Sequence, residues 1–207
     1  MATPTTDLFP DADPLPPRST KPTGTRSAIE WVVVVVGAVI VALVIKTFVM
    51  QAFYIPSESM QPLLEKGDRV LVNKLSYHLH DINRGDVVVF ERPEETNAEI
   101  KDLIKRVIGL PGESVVIKDN QVFIDGKALD EPYLPAGTTI TTGPGNATWT
   151  HKCTPEDPCV VPENTVWVMG DNRSNSQDSR YIGPIPQDKV VGRAFVIVWP
   201  FNRASGM

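Results

Sequence analysis

The sequence of 207 residues has little positive charge and little histidine. Lysine and arginine together number 20 against 25 acidic residues, which gives a net charge of −5 and argues against binding nucleic acid through its phosphates. None of the three histidines lies near the serine-containing segment Ser57-Glu58-Ser59. If a serine of this segment is a nucleophile, the obvious proton acceptor is therefore a lysine.

Long apolar runs are also scarce, and the main one lies between Ile29 and Phe53. Its uncharged part, Trp31–Ile45, reaches with residues 47–50 about the twenty residues that a bilayer requires. A cleaved signal peptide is the alternative, but such a peptide needs small residues before the cut, and Met50 is a poor fit there. The sequence therefore predicts an uncleaved transmembrane anchor over residues 28–51.

The segment before the anchor contains six prolines among Thr, Asp and Ser, which predicts a disordered tail over residues 1–27. Its basic residues Arg18, Lys21 and Arg26 lie beside the apolar run. Basic residues on that flank favour a cytoplasmic N-terminus, with residues 52–207 as an extracytoplasmic domain on the outer face of the cell membrane.

After the anchor the pattern changes to short β-strands bounded by turn residues. Residues 128–165 are rich in Pro, Gly and Thr and carry both cysteines, as an inserted segment would. The sequence predicts a mainly β fold in which a single transmembrane helix precedes an antiparallel β-sheet catalytic core, with an inserted β-ribbon lobe at about 120–165. The predicted strands are Asp68–Asn73, Asp86–Phe90, Ser114–Lys118, Gln121–Ile124, Val166–Met169 and Ala194–Trp199.

Five stretches of the sequence resemble, in order, those of the bacterial type I signal peptidases. These are membrane-anchored proteases that remove signal peptides from exported preproteins. The stretches are Ile55-Pro56-Ser57-Glu58-Ser59-Met60-Gln61-Pro62, Gly67-Asp68-Arg69-Val70-Leu71-Val72-Asn73-Lys74, Arg84-Gly85-Asp86-Val87-Val88-Val89-Phe90, Lys105-Arg106-Val107-Ile108-Gly109-Leu110-Pro111-Gly112 and Gly170-Asp171-Asn172-Arg173-Ser174-Asn175-Ser176-Gln177-Asp178-Ser179-Arg180.

The resemblance implies a serine–lysine dyad. In it Ser59 is the nucleophile, Lys105 is the general base, and the Ser57 hydroxyl joins the Ser59 backbone N–H in the oxyanion hole. A lysine can act as a base at working pH only if desolvation lowers its pKa, and the apolar neighbours of Lys105 suit such burial.

The resemblance also implies roles for the polar segment that ends at Arg180. Ser176 is expected to hydrogen-bond the Lys105 amine. Ion pairs of Asp178 with Arg180 and of Asp171 with Arg106 are expected to shape the site. The alternatives for this segment are an exposed loop and a cation loop built from Asp171, Asn172 and Asp178.

The expected substrate is a signal peptide with a small-x-small site, held by main-chain pairing in a shallow apolar cleft. The preprotein and the lipid bilayer are the expected partners, the export translocon is a candidate partner, and no cofactor is expected. The family's cleft positions correspond to Ile55, Pro56, Leu64, Leu103 and Ile104, with Phe53 at the rim.

The two cysteines, Cys153 and Cys159, are expected to form a disulfide on the outward face of the membrane. Zinc bound by these thiols with His151 and Asp157 is the alternative, although the spacing fits no common zinc site. Two other functions stay open at this point. One is a Ser/Lys protease of the self-cleaving repressor type, and the other is a non-catalytic, membrane-anchored peptide-binding module.

Overall fold

The computed structural model describes residues 24–44, 49–93, 101–140 and 149–207. Most of the predicted tail therefore lies outside the described residues. The chain divides into two units, residues 1–42 and 43–207. Helix α1 runs from Gly24 to Val44 and so begins inside the predicted tail. Among the described residues, no helix is long and apolar enough to cross a membrane.

The second unit is built mainly from short β-strands. Its elements in chain order are β1 (Met50–Tyr54), β2 (Arg69–Asn73), helix α2 (Ser76–Leu79), β3 (Val87–Glu91), β4 (Asp102–Gly109), β5 (Ser114–Lys118), β6 (Gln121–Ile124), β7 (Lys127–Ala128), β8 (Cys159–Val160), β9 (Thr165–Met169), helix α3 (Ser179–Ile182), β10 (Ile185–Pro186), β11 (Val190–Trp199) and β12 (Ser205–Gly206).

Among the described residues, eight strands form the main sheet in the order β1-β2-β11-β3-β4-β9-β10, with β12 paired to β11. Neighbouring strands are antiparallel. Strand β3 buries Val87–Phe90, as expected for a β-branched run in the middle of a sheet. Its start is fixed by a turn at Gly85, whose φ of 90° favours glycine, and by the Asp86 carboxylate, which accepts a hydrogen bond from the Asn83 N–H at 3.0 Å.

A second sheet forms the inserted lobe, with the order β7-β6-β5-β8. The lobe begins at Ser114 in β5, before the predicted boundary at about 120. Its hydrophobic core includes Val115 and Val122 and is continuous with Ile108, Trp167 and Met169 of the main sheet. The lobe therefore packs against the main sheet on the side of β4 and β9.

All six predicted strands are present, but the sequence interpretation differs from the structure at two further places. Met50 and Gln51, which were included in the predicted anchor, pair with Asn73 and Val72 in the sheet. Lys105 lies inside the eight-residue strand β4, which is not one of the six predicted strands, and pairs with Val88. Both differences reflect long-range strand pairing, which overrides local hydrophobicity.

Candidate active site

Two adjacent features of the fold bring Ser59 and Lys105 together. Ser59 follows β1 in a turn whose Met60 is fully buried in the core, and Lys105 projects from β4. The Lys105 amine donates to Ser59 Oγ at 2.8 Å and to the Ile104 carbonyl at 2.7 Å. The two residues are 46 positions apart in sequence, so it is the sheet that creates the contact.

Burial changes the acid–base chemistry of this lysine. Lys105 is 2% exposed, and its desolvation lowers the pKa to about 8 from the ordinary 10.5. Asp178 and Asp171 act in the opposite direction through their charge, while Arg92 and Arg180 add to the lowering. A large fraction of the amine is thus neutral at mildly alkaline pH and can accept a proton.

The Ser57 hydroxyl lies beside that of Ser59. Its Oγ is 3.3 Å from Ser59 Oγ, and both serines line an open cleft of about 360 Å³ together with Lys105. A hydroxyl at this position can donate to an oxyanion that forms when Ser59 attacks a carbonyl.

The segment Gly170–Arg180, called here the catalytic loop, binds the backbone of Glu58 and Ser59. The N–H of Asn172 donates to the Ser59 carbonyl at 3.1 Å, and the Asn172 side-chain amide donates to the Glu58 carbonyl at 3.1 Å. Sequence reasoning assigned no role to Asn172 beyond the cation-loop alternative. Its position in the Gly170-Asp171-Asn172-Arg173 stretch was the available signal.

Gly170 is required by close approach. A Cβ atom at this position would lie 2.2 Å from Ser176 Oγ and 2.4 Å from the Ser59 carbonyl oxygen, both far inside van der Waals contact. Only glycine lets the catalytic loop pass this close to the nucleophile's backbone. Gly170 lies in one of the five stretches that resemble signal peptidases, but the sequence predicted no role for it.

Both expected ion pairs are present, and both are buried. Arg106 binds Asp171 through two hydrogen bonds of 2.8 and 2.6 Å, and Arg180 binds Asp178 through two of 2.8 Å. Burial alone would raise the pKa of Asp178, but the hydrogen bonds and charge of Arg180 and the Gly170 N–H hold that pKa below its usual value. These arginines occupy the carboxylates that the cation-loop alternative needed.

Ser176 differs from the expectation. It is fully buried, but the described hydrogen bonds of the Lys105 amine go to Ser59 and Ile104, and the Ser176 hydroxyl has no partner in hydrogen-bond geometry among the described residues. It nevertheless lies close enough to Asp178 to help lower the pKa of that carboxyl, after the larger effects of Arg180 and Gly170. The carbonyl of Ile104, on the strand of the lysine itself, takes the place expected for Ser176.

The cleft contains part of the expected lining. Pro56, Leu103 and Ile104 line it, whereas Ile55 and Leu64 are buried in the hydrophobic core and Phe53 is half-buried against that core. Alternation along an extended chain turns Ile55 away from the cleft side. The cleft is more polar than expected, because its lining also includes Glu58, Lys66, Arg92, Asp102, Asn175 and Gln177.

Cys153 and Cys159 are joined by a disulfide bond, which leaves no thiolate for the zinc alternative. The bond lies in the lobe, where the Cys153 carbonyl accepts from the Ile117 N–H at 2.7 Å and Cys159 pairs with Val115. It therefore ties the segment that leads into β8 to the middle of the lobe sheet.

Comparison with known proteins places this chain in one family. The family model described as "Signal peptidase, peptidase S26" matches residues 28–199. The chain is 39% identical over 198 residues to a signal peptidase I of Leptolyngbya laminosa, with 94% of this chain and 91% of that protein covered. It is 43% identical over 172 residues to a probable signal peptidase I-2 of Synechocystis, with 82% and 72% covered.

A third relative, signal peptidase I S of Bacillus subtilis, is 36% identical over 178 residues, which cover 86% of this chain and 92% of that protein. Identity of 36–43% over 82–94% of this chain shows common descent. The chain therefore belongs to the signal peptidase family, peptidase S26, and is a serine endopeptidase that removes signal peptides.

Proposed function

We propose that this signal peptidase works by a Ser59–Lys105 dyad. The observation that carries the proposal is the 2.8 Å contact between the buried Lys105 amine and Ser59 Oγ. A buried lysine whose pKa is lowered can take the proton from a serine hydroxyl, which makes the serine oxygen nucleophilic. The amine and the hydroxyl are already within the distance that direct proton transfer requires.

In the first step Ser59 Oγ attacks the scissile carbonyl carbon while its proton moves to Lys105 Nζ. The Ser57 hydroxyl and the Ser59 N–H donate to the oxyanion of the tetrahedral intermediate. The intermediate collapses when Lys105 returns the proton to the leaving amine, which leaves an acyl group on Ser59. A water molecule, deprotonated by Lys105, then hydrolyses this ester and regenerates the hydroxyl.

The substrate would bind in extended form next to Lys105. Strand β4 pairs with β3 through Asp102–Arg106, whereas its pairing with β9 starts only at Arg106. Within the described residues, the β4 segment before Lys105 thus has one edge without a strand partner, and an extended peptide can add there. The Leu103 and Ile104 side chains beside Pro56 support shallow apolar subsites for small side chains.

The direct experiment compares the enzyme with its Ser59→Ala variant on a preprotein that has a small-x-small site. We expect no processing by the variant while its circular dichroism and melting temperature stay near those of the parent enzyme. Processing at the parental rate by Ser59→Ala would remove Ser59 from the mechanism.

The pH dependence tests the lysine. Because the Lys105 pKa is lowered to about 8 and the neutral amine is the active form, kcat/KM should rise with pH along a limb near pH 8. A profile that is flat between pH 6 and about 9 would contradict a lysine base.

We further propose that the enzyme is a single-pass membrane protein. Its anchor would lie within residues 28–49 and end before strand β1 begins at Met50, with residues 1–27 as a cytoplasmic tail and the chain from β1 onward as the extracytoplasmic peptidase domain. The support is the apolar sequence and the exposed apolar side chains of α1. The exposed aromatic residues Tyr54, Trp199 and Phe201 suit the headgroup region.

These aromatic residues also suggest how the domain meets the bilayer. Tyr54 and Trp199 both pair with Arg69 on neighbouring strands, and the Trp199 and Phe201 rings lie 4.8 Å apart, so one end of the sheet carries a cluster of exposed rings. Tyr54 is five residues before Ser59. The face that carries Tyr54, Trp199 and Phe201 is therefore proposed to contact the bilayer, and the export translocon is a proposed partner at the same membrane.

Alkaline carbonate extraction of membranes tests the anchor. The full chain should remain with the membrane pellet, and a variant lacking residues 1–48 should be released yet still cleave a short peptide. Release of the full chain would overturn the anchor, and protease protection of the C-terminal domain in spheroplasts would overturn the orientation.

A further inference from the structure

The inserted lobe reaches the catalytic loop through a buried ion pair. Arg173 of that loop is 1% exposed, and its guanidinium donates to the two carboxylate oxygens of Glu131 at 3.0 and 2.5 Å. Glu131 comes from the lobe, three residues after the end of β7. The hydrogen bonds and charge of Glu131 more than offset the burial of Arg173 and raise the pKa of this guanidinium, so it stays charged.

A second contact runs from the same part of the lobe to Arg106. The Arg106 guanidinium lies over the Tyr133 ring, 4.0 Å from its centroid, while it binds Asp171 of the catalytic loop through two hydrogen bonds. The Tyr133 hydroxyl donates to Glu131 at 2.7 Å. The Glu131-Pro132-Tyr133 segment thus contacts both Arg173 of the catalytic loop and Arg106 of β4, which binds that loop through Asp171.

Arg173 is also hydrogen-bonded to the backbone of the catalytic loop, and the loop is in turn hydrogen-bonded to the backbone of Ser59. Arg173 Nε donates to the Gly170 carbonyl at 3.1 Å, and the Arg173 carbonyl accepts from Arg180 at 2.8 Å. Asn172 lies between Gly170 and Arg173 in the sequence, and its N–H donates to the Ser59 carbonyl. Displacement of Arg173 therefore moves the group that holds Ser59.

We propose that Glu131 and Tyr133 are positioning residues for catalysis: the lobe fixes the catalytic loop through Arg173 and Arg106, and the loop in turn fixes Ser59 against Lys105. This rests on the dyad proposed above. The lobe is then part of the catalytic apparatus, because without Glu131 the buried Arg173 guanidinium would lose its counter-ion and leave its present position.

The test uses the full-length enzyme and three variants. Glu131→Gln leaves the charge of Arg173 uncompensated, and Tyr133→Phe keeps the ring over Arg106 but removes the hydrogen bond to Glu131. Val122→Ala is the matched control, since it opens a cavity in the buried core of the lobe and removes none of the hydrogen bonds of Glu131, Tyr133 or Arg173. For each we would measure the melting temperature, kcat and KM, the pH profile, and the folded fraction.

Misplacement of the nucleophile by about 1 Å costs on the order of a hundredfold in rate. We expect Glu131→Gln to lower kcat by tenfold to about a hundredfold with little change in KM, and Tyr133→Phe to have a smaller effect in the same direction. Val122→Ala should lower the melting temperature as much as Glu131→Gln while its folded fraction keeps the parental kcat.

The pH profile separates positioning from stability. The charged groups that act on the Lys105 amine are Asp178, Asp171, Arg92 and Arg180, and burial is the main cause of its low pKa. A loosened loop admits water to the amine, so the limb of Glu131→Gln should move to higher pH, and that of Val122→Ala should not.

The proposal is overturned if Glu131→Gln keeps the parental kcat and pH limb, or if Val122→Ala changes kcat and limb to the same extent at an equal loss of melting temperature. Either result leaves the dyad intact, because Ser59→Ala tests the dyad independently. Activity of the Ser59→Ala variant would instead overturn the dyad itself.

Discussion

Neighbouring buried cations in this enzyme have opposite surroundings. In the catalytic loop and on β4, Arg106, Arg173 and Arg180 each bind a carboxylate. Lys105, next to Arg106 in the sequence, has a hydroxyl and a carbonyl as its described hydrogen-bond partners. The arginine region is built from compensated charges, whereas the dyad region contains a cation without a bound counter-ion.

This difference suits the arginines to a structural role and the lysine to acid–base chemistry. A buried guanidinium with a carboxylate partner stays charged and serves as a fixed structural element. A buried ammonium without one loses part of its affinity for the proton, which is the property that a general base needs. Arginine and lysine are therefore not interchangeable at the two positions.

The largest effect is expected from Lys105→Arg, with Arg106→Lys at the neighbouring position as the comparison. Lys105→Arg should abolish activity, with a loss on the order of 10⁴- to 10⁶-fold in kcat, because a guanidinium stays protonated at any working pH. Arg106→Lys keeps the charge and should remain active, although the free energy of unfolding falls by about 1–3 kcal/mol as Asp171 loses a hydrogen bond. Preprotein cleavage assays and denaturant unfolding measure the two effects. Near-parental turnover of Lys105→Arg would exclude a lysine base.

The next effect concerns the contact between the two regions. Gly170→Ala must displace either Ser176 or the Ser59 carbonyl, which lie 2.2 and 2.4 Å from the added Cβ. We expect kcat to fall on the order of a hundredfold. Gly192→Ala is the matched control, because its Cβ meets the Asn73 carbonyl at 2.3 Å in the sheet, away from the cleft. An equal loss of kcat in the folded fraction of both variants would show that the Gly170 effect is not specific.

Methionine at the two positions sharpens the comparison in terms of stability. The pKa of Lys105 is lowered from 10.5 to about 8, so between these values the unfolded chain binds a proton that the folded chain does not. This lowering of the pKa corresponds to about 3 kcal/mol of destabilisation near pH 7, which disappears as the pH rises to about 10.5.

Lys105→Met removes this pH-dependent destabilisation. We therefore expect its free energy of unfolding to exceed that of the parent by up to about 3 kcal/mol near pH 7, with no such gain near pH 10.5. Arg106→Met should instead lose about 3–5 kcal/mol at both pH values, since it leaves the buried Asp171 unpaired. Denaturant unfolding at the two pH values measures this. A pH-independent difference between Lys105→Met and the parent would contradict the lowered pKa.

The smallest effect is expected at the disulfide, which is part of neither region. Replacing Cys153 and Cys159 by serine reopens a loop with a sequence separation of 6 and should lower the stability by about 2 kcal/mol. The catalytic rate of the folded protein should stay unchanged, because the bond contacts neither the dyad nor the catalytic loop. A melting curve with a parallel cleavage assay tests both statements, and complete inactivation of a folded double-serine variant would contradict the second.

The residues most readily predicted from the sequence were those whose chemistry is local. The apolar alternation of β2 and β3 and the hairpin of β5 and β6 indicated their strands directly, because side-chain alternation and turn residues act over a few positions. The roles expected for Ser59 and Lys105 came from the resemblance to signal peptidases, and the apolar neighbours of Lys105 only suited its desolvation. The partners of Asp171 and Asp178 followed from the resemblance to signal peptidases.

What the sequence by itself determined is thus the set of reactive groups and the strands that carry them. The tertiary structure alone decided that the Lys105 amine donates to the Ile104 carbonyl instead of to Ser176. It also decided that Ile55 and Leu64 belong to the core, and that Glu131 and Tyr133 of the lobe contact Arg173 and Arg106. Apart from the bond between the adjacent residues Lys105 and Ile104, these contacts join segments far apart in the chain. They exist only once β4 has β3 and β9 as neighbours, and no local pattern of residues specifies that arrangement.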